Sequence, residues 1–174
     1  IINNKKLFEM ALTQNYVNKD CAQVAGVVRY YMTPFSNLLT ATLTSNVVTA
    51  ITKTVTWKKY DQEPEVANWK YTLTQGAQGN SVYDWEASFD CNGLNTLDQE
   101  ELANIAPCKM VLIAEMNDGT HWMLGRENGC RMSGDAFDAG TKYEDFIGSK
   151  VTFKGRSAVK MKKVDSTIIA GLLT

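Results

Sequence analysis

The stretch WEASFDCNGLNTLDQEELANIAPCKMVLIAEMNDGTHWMLGREN, running from Trp85 to Asn128, decides how this chain is read. Trp85, Ala87 and Phe89 alternate with polar residues, as a half-buried strand requires. A short helix follows. Asn95 or Thr96 can cap it, Asp98, Glu100 and Glu101 sit in its first turns where the helix dipole favours negative charge, and Pro107, which lacks an amide proton, stops it. Leu97, Leu102 and Ile105 fall near one face, so about two to three turns should pack on a sheet. Met110-Val111-Leu112-Ile113-Ala114 is apolar without alternation, which predicts a central strand buried on both faces. In Asn117-Asp118-Gly119-Thr120 the Asp-Gly pair supplies the positive φ of a tight hairpin, and His121-Trp122-Met123-Leu124-Gly125 answers as the partner strand.

Upstream of this segment the chain is again β-prone. Ala22 to Tyr31 reads as a strand, with Gly26 marking a bulge or a close backbone approach, and Pro34 ends it. Thr40 to Tyr60 is rich in Thr, Val and Ile and predicts one long or two successive strands broken near Ser45-Asn46. Asp61 to Glu65 is an acidic connection. Trp69, Tyr71 and Leu73 then share one face, and Val82 to Phe89 runs back after a Gly-rich turn, so the two strands form an antiparallel hairpin. Downstream, Ser133 to Gly148 is rich in Gly, Asp and Ala and reads as a long loop pinned by Phe137, Tyr143 and Phe146. Lys150 to Gly155 and Ser157 to Val164 supply two further strands.

The expected fold is therefore mainly β, an antiparallel β-sandwich or barrel with one short flanking helix. It is one domain over residues 1–174, with an amino-terminal arm over about 1–20 and an apolar carboxy-terminal tail over about 165–174. Eighteen Lys and Arg against 19 Asp and Glu give a net charge of -1, so no global attraction to nucleic acid or anionic membrane is expected. No apolar run is long enough to span a bilayer, and no basic segment followed by an apolar block marks a secretion signal.

Chemistry finds little support. The four cysteines, Cys21, Cys91, Cys108 and Cys130, form no Cys-x-x-Cys pair, and with one histidine in the chain a zinc site of the usual kind is not expected. Free and mostly buried thiols are favoured over disulfides. His121 is read as a strand-surface residue in preference to a base paired with Cys91 or Cys108, because no nucleophile motif accompanies it. The sequence holds no Walker loop, no dinucleotide glycine fingerprint and no calcium loop, so no cofactor is expected. Lys53, Lys58, Lys59 and Lys70 lie near Trp57, Tyr60 and Trp69, with Lys160, Lys162 and Lys163 in the tail strand. A single-stranded nucleic-acid groove could use such residues. Plain strand alternation, aromatic inside and lysine outside, is favoured over it.

From Val111 to Phe153 the chain resembles small virion proteins of tailed bacteriophages. The resemblance rests on the buried strand, the Asn117-Asp118-Gly119 turn, Trp122-Met123-Leu124-Gly125, Asn128-Gly129, the Gly/Asp/Ala-rich segment, Gly148 and Val151-Thr152-Phe153-Lys154-Gly155. The similar proteins are tail-tube-like and head-to-tail connector or ring proteins, those of crAss-like Bacteroidetes phages among them. The likeness covers roughly Thr54 to Val164. It implies a tail-tube-like fold and a structural, non-enzymatic role in the virion, after synthesis in the host bacterial cytoplasm. Copies would join in a homo-oligomeric ring or tube around a DNA channel. The implied partners are further copies, neighbouring portal, tail or capsid proteins, and DNA that passes without sequence-specific contact. No membrane and no small-molecule substrate are implied. A capsid decoration protein, or a single-stranded nucleic-acid-binding β-barrel, is the alternative. The expected subunit contacts are Phe35, Leu38 and Leu39, then Phe137, Tyr143 and Phe146, and in the tail Ile168, Ile169, Leu172 and Leu173. Each of these could equally close the subunit's own core.

Overall fold

The computed structural model describes residues 25–77, 79–93, 96–142 and 144–174. The expected arm over about 1–20, Cys21, the candidate cap Asn95 and the candidate contact Tyr143 lie outside these residues.

Among the described residues eleven strands form two sheets. In chain order they are β1 (Val27–Pro34), β2 (Leu38–Thr44), β3 (Val47–Lys53), β4 (Lys58–Asp61), β5 (Asn68–Gln75), β6 (Ser81–Asn92), β7 (Met110–Met116), β8 (His121–Leu124), β9 (Arg131–Asp138), β10 (Gly148–Ser157) and β11 (Lys162–Val164). Helix α1 (Thr96–Ile105) lies between β6 and β7, and the tail ends in a single helical turn, α2 (Ile169–Leu172). The larger sheet has seven strands in the order β2-β3-β11-β8-β7-β1-β4, and the smaller has four in the order β5-β6-β10-β9. Both sheets have free edges, so no barrel closes. The pairing is antiparallel except between β3 and β11.

One core joins the sheets face to face. Tyr30, Met32, Leu112, Ala114 and Leu124 from the larger sheet meet Trp85, Ala87, Phe89, Val151 and Phe153 from the smaller, and Leu102 and Ile105 of α1 complete it. A second core covers the opposite face of the larger sheet. There Tyr31, Val48, Val111, Ile113, Met123 and Val164 are capped by Trp57 and by Ile169 and Leu172 of the tail. Residues 110–114 are buried throughout, as their unbroken apolar run predicts, because β7 has a core on each side. The Asp-Gly hairpin is also as read: Gly119 takes φ 76°, and Asp118 Oδ1 accepts from the Thr120 amide at 2.9 Å and its hydroxyl at 2.6 Å.

Three expectations need correction. Ser157 to Val164, read as one strand, divides: β10 runs on through Ser157, and only Lys162–Val164 form β11. Ser133 to Asp138, read as loop, belongs to β9, which pairs antiparallel with β10 from Arg131 to Asp138. Its Gly, Asp and Ala have weak strand preference, so the pairing comes from the β10 ladder, and exposure on both faces removes any alternation. His121 is not on the surface. Register aligns Val164, His121, Glu115, Arg29 and Asp61 in one row across five strands, and only 7% of His121 remains exposed.

Candidate functional site

The two sheets differ by three strands, and their contacts place the surplus at opposite sides. Trp69 of β5 lies against Trp122 of β8 with centroids 5.6 Å apart, while Phe89 of β6 meets Tyr30 of β1 at 5.2 Å and Tyr60 of β4 at 6.0 Å. The smaller sheet thus sits over β8 to β4. The β2–β3 hairpin extends past it on one side. On the other, α1 fills the space beyond β4, with Tyr60 Oη donating to Glu101 Oε1 at 2.8 Å, and β9, held to β7 by the Cys130–Met110 bridge and to the core by Met132, overhangs at its far end. Register and alternation put Phe137 on the same side as Ser149 and Cys91, toward the interior, yet it is 56% exposed because nothing among the described residues covers it.

Of the two overhanging edge strands, β2 is chemically unlike the far edge of its own sheet, whereas β9 carries Arg131, Asp135 and Asp138. β2, Leu38-Leu39-Thr40-Ala41-Thr42-Leu43-Thr44, carries no charge and no proline, and exposes Leu39 (56%) and Leu43 (37%). Its side-chain hydrogen bonds are made within its own hairpin, Thr40 Oγ1 to Thr52 Oγ1 at 3.0 Å and Thr44 Oγ1 with Thr49 Oγ1 at 3.1 Å. Ser45 and Asn46, with φ of 51° and 67°, form the connecting turn, where the sequence places the break. Two register shifts bend the strand, one of the devices that discourage promiscuous pairing. At the far edge, β4 spans four residues, three of them charged: Lys58, Lys59 and Asp61. Asp61 is held by Arg29 and Lys59, each at 3.0 Å.

The sequence-derived contact residues divide. Leu39 and Phe137 lie on the two overhangs and are exposed. Phe35 and Leu38 are half-buried against the second core, and Phe146 is half-buried beneath Lys150, whose Nζ lies 5.4 Å from its ring centroid. The tail docks on its own subunit. Ile169 and Leu172 are buried and Ile168 half-buried, while Leu173 stays exposed. The Leu172 carbonyl accepts from the Trp57 amide at 2.9 Å and from Lys53 Nζ at 2.7 Å, and the Thr174 carbonyl accepts from Lys53 Nζ at 2.6 Å. Sequence reasoning did not single out Leu43, although a strand of alternating Leu and Thr with no charge was there to be noticed.

The groups proposed for chemistry are not brought together. His121 shares the tail-covered side of the larger sheet with Met123, whereas Cys91 packs on the inter-sheet core, so the sheet stands between them. Cys108 lies exposed after α1, its Sγ donating to the Asn104 carbonyl at 3.3 Å, near the start of β7 and away from the Glu115 end where His121 pairs. His121 Nε2 instead lies 3.6 Å from Glu115 Oε2, which accepts from Tyr31 Oη at 2.6 Å. Burial, then Glu115, pushes the Tyr31 hydroxyl's pKa upward. Trp57 is enclosed in the second core and Trp69 packs on the first, so they line no common groove. Lys160 and Lys163 sit over the Tyr71 and Trp122 rings at 5.5 and 5.4 Å. The three described cysteines are free: Cys130 buried, Cys91 half-buried and Cys108 exposed. Burial raises the Cys91 thiol to about 11. Among the described residues no cluster of His, Cys, Asp or Glu is placed to hold a metal ion, and no helix is long and apolar enough to cross a membrane.

No known family model, curated protein or solved structure matches the chain.

Proposed function

We propose that this protein is a structural subunit of a tailed-phage virion that joins copies of itself laterally into a ring or tube at the tail or the head-to-tail interface. The observation that carries the lateral contact is the stagger of the two sheets. It leaves an uncharged edge strand, β2, at one side and an overhanging strand, β9, with Phe137 uncovered, at the other. An exposed, uncharged strand edge is a template for pairing with another chain. Two different surfaces at opposite sides make a heterologous contact, which closes into a ring when the rotation between copies permits. The virion setting rests on the resemblance over Thr54 to Val164. In that setting DNA passes through the ring without sequence-specific contact, and portal, tail or capsid proteins are the neighbours. The protein would reside in the virion after synthesis in the host bacterial cytoplasm.

Light scattering and negative-stain microscopy of the purified full chain test this. Closed rings or tubes many times the monomer mass are expected. A monomer that persists at high concentration overturns the reading.

A further inference from the structure

The lateral edges leave unexplained the two ends of the smaller sheet, which carry opposite charge. At one end, Asp61, Glu63, Asp90, Asp98 and Glu101 line a cleft of about 390 Å³ together with Tyr60, Cys91 and Leu102, and no cation is among its described lining residues. Asp61 is neutralised from outside the cleft by Arg29 and Lys59, each at 3.0 Å, so the net charge is carried by the other carboxylates. Helix α1 forms one wall. Its sequence Thr96 to Ile105 contains no basic residue, and it turns Asp98, Glu100 and Glu101 outward. At the other end, Lys109, Arg131, Lys154 and Arg156 border a shallow groove of about 490 Å³ whose acidic member is Asp84. Arg156 Nε lies 2.5 Å from Asp84 Oδ1, Lys154 Nζ is 3.1 Å from Glu86, and Arg131 Nη1 donates to the Pro107 carbonyl at 2.6 Å. Among the described residues Lys109 makes no ion pair. The groove therefore keeps a net positive charge.

Strand β6 fixes how these ends relate. It carries Asp84 beside the groove and Asp90 in the cleft, six residues apart, which is about 20 Å of extended chain. The charged ends lie along the strand direction, whereas the β2 and β9 edges lie across it. One molecule thus has a lateral pair of surfaces and an axial pair. A second copy fits the axial pair better than any partner foreign to the chain, since each end presents the charge that the other end of an identical copy would meet. Opposed charge of this kind sets register and suppresses wrong contacts more than it adds raw affinity.

We propose that the acidic face of α1 and its cleft docks into the Lys109–Arg131–Lys154–Arg156 groove of a second copy, stacking subunits head to tail along the strand direction. This rests on the proposed function and deepens it: laterally closed rings would stack into a tube.

Reciprocal charge reversal tests the contact. One variant carries Glu63→Lys with Glu100→Lys, the other Lys109→Glu with Lys154→Glu, and thermal melts check that both fold. Each variant alone is expected to form rings without stacks, because its two ends now repel. An equimolar mixture is expected to recover stacking, since the reversed cleft of one variant fits the reversed groove of the other. Wild-type stacks should shorten as salt rises from about 50 to about 500 mM while rings persist, because the Debye length contracts. Stacking by either variant alone at the wild-type level overturns the proposal, as does a mixture no larger than its components. Wild-type chains that form no rings sink the lateral reading instead; sedimentation of the mixture still reads the axial contact as complexes of the two variants. If the mixture does not associate, and the Lys109→Glu, Lys154→Glu variant alone loses a salt-dependent oligonucleotide shift, the groove holds a phosphate backbone and the proposal is overturned.

Discussion

The two edges of the seven-stranded sheet are built by opposite rules. β4 is short and charged, and its Asp61 is tied to Arg29 and Lys59. β2 is nearly twice as long, uncharged, and leaves Leu39 and Leu43 in solvent. A lysine or aspartate on a free edge makes pairing with another strand costly, because its charge would have to be desolvated beside the new neighbour. The lesson is that the chain guards one edge with charge and the other only with two bends in the strand, which is the kind of asymmetry a directional assembly would need.

The sharpest way to break the comparison is to give β2 the character of β4. With Leu39→Lys and Leu43→Lys, light scattering should show rings replaced by monomers. The thermal midpoint should stay nearly constant, because both side chains are exposed and such substitutions usually change stability by less than about 0.5 kcal/mol. Assembly that survives these charges would place the contact elsewhere. Next in size is Leu172→Ala, which removes a buried side chain from the core beneath β3 and should cost about 3 kcal/mol, or roughly 6 to 12 °C in Tm, read by calorimetry. If that variant melts like the wild type but assembles poorly, the tail serves a neighbour and not its own subunit.

The converse exchange, Lys58→Thr with Lys59→Thr, strips the protected edge. Surface pairs of this kind contribute about 0 to 1 kcal/mol, so the fold should hold while irregular aggregates join the closed rings in negative stain. Preserved homogeneity would mean that the shortness of β4, and not its charge, guards that edge. The smallest effect is kinetic. Alkylation at pH 8 should modify exposed Cys108 well before Cys91, whose thiol is raised to about 11, and leave Cys130 for last, since burial raises it further. Mass spectrometry of a time course reads the order, and early labelling of Cys130 would show that the inter-sheet core opens readily.

Much of the framework was legible. The β5–β6 hairpin pairs Trp69 with Ala87, Tyr71 with Trp85 and Leu73 with Tyr83, as period two requires, and Pro107 follows the end of α1. What escaped depends on pairing across long sequence distances. β9 has no pattern of its own, because its conformation is set by β10. The burial of His121 follows from the row that runs through Glu115 and Arg29, and no local window contains that row. Which strands form the edges could not be read either, since the place of β2 is decided by where β3 joins the sheet. Threonine-rich alternation looks the same at an edge as in the interior. The interface guesses suffered accordingly: apolarity marked Leu39 and Phe137, which are open, and equally Ile169 and Leu172, which are not.

The parallel seam between β3 and β11 also sets a timetable. Val47 pairs with Lys163 and Val48 with Val164, residues 116 positions apart in the chain, through a strand of three residues. Contacts this distant form late, because a long loop must close before they offer any return. During synthesis the β2–β3 hairpin cannot join its sheet until the ribosome has released residues 162–164, which follow every other strand of both sheets. The edge that would receive a neighbour is therefore the last part of the sheet to be set in place. Under the proposed assembly, a nascent subunit would offer that edge in its native position only after every strand of the described residues has been made.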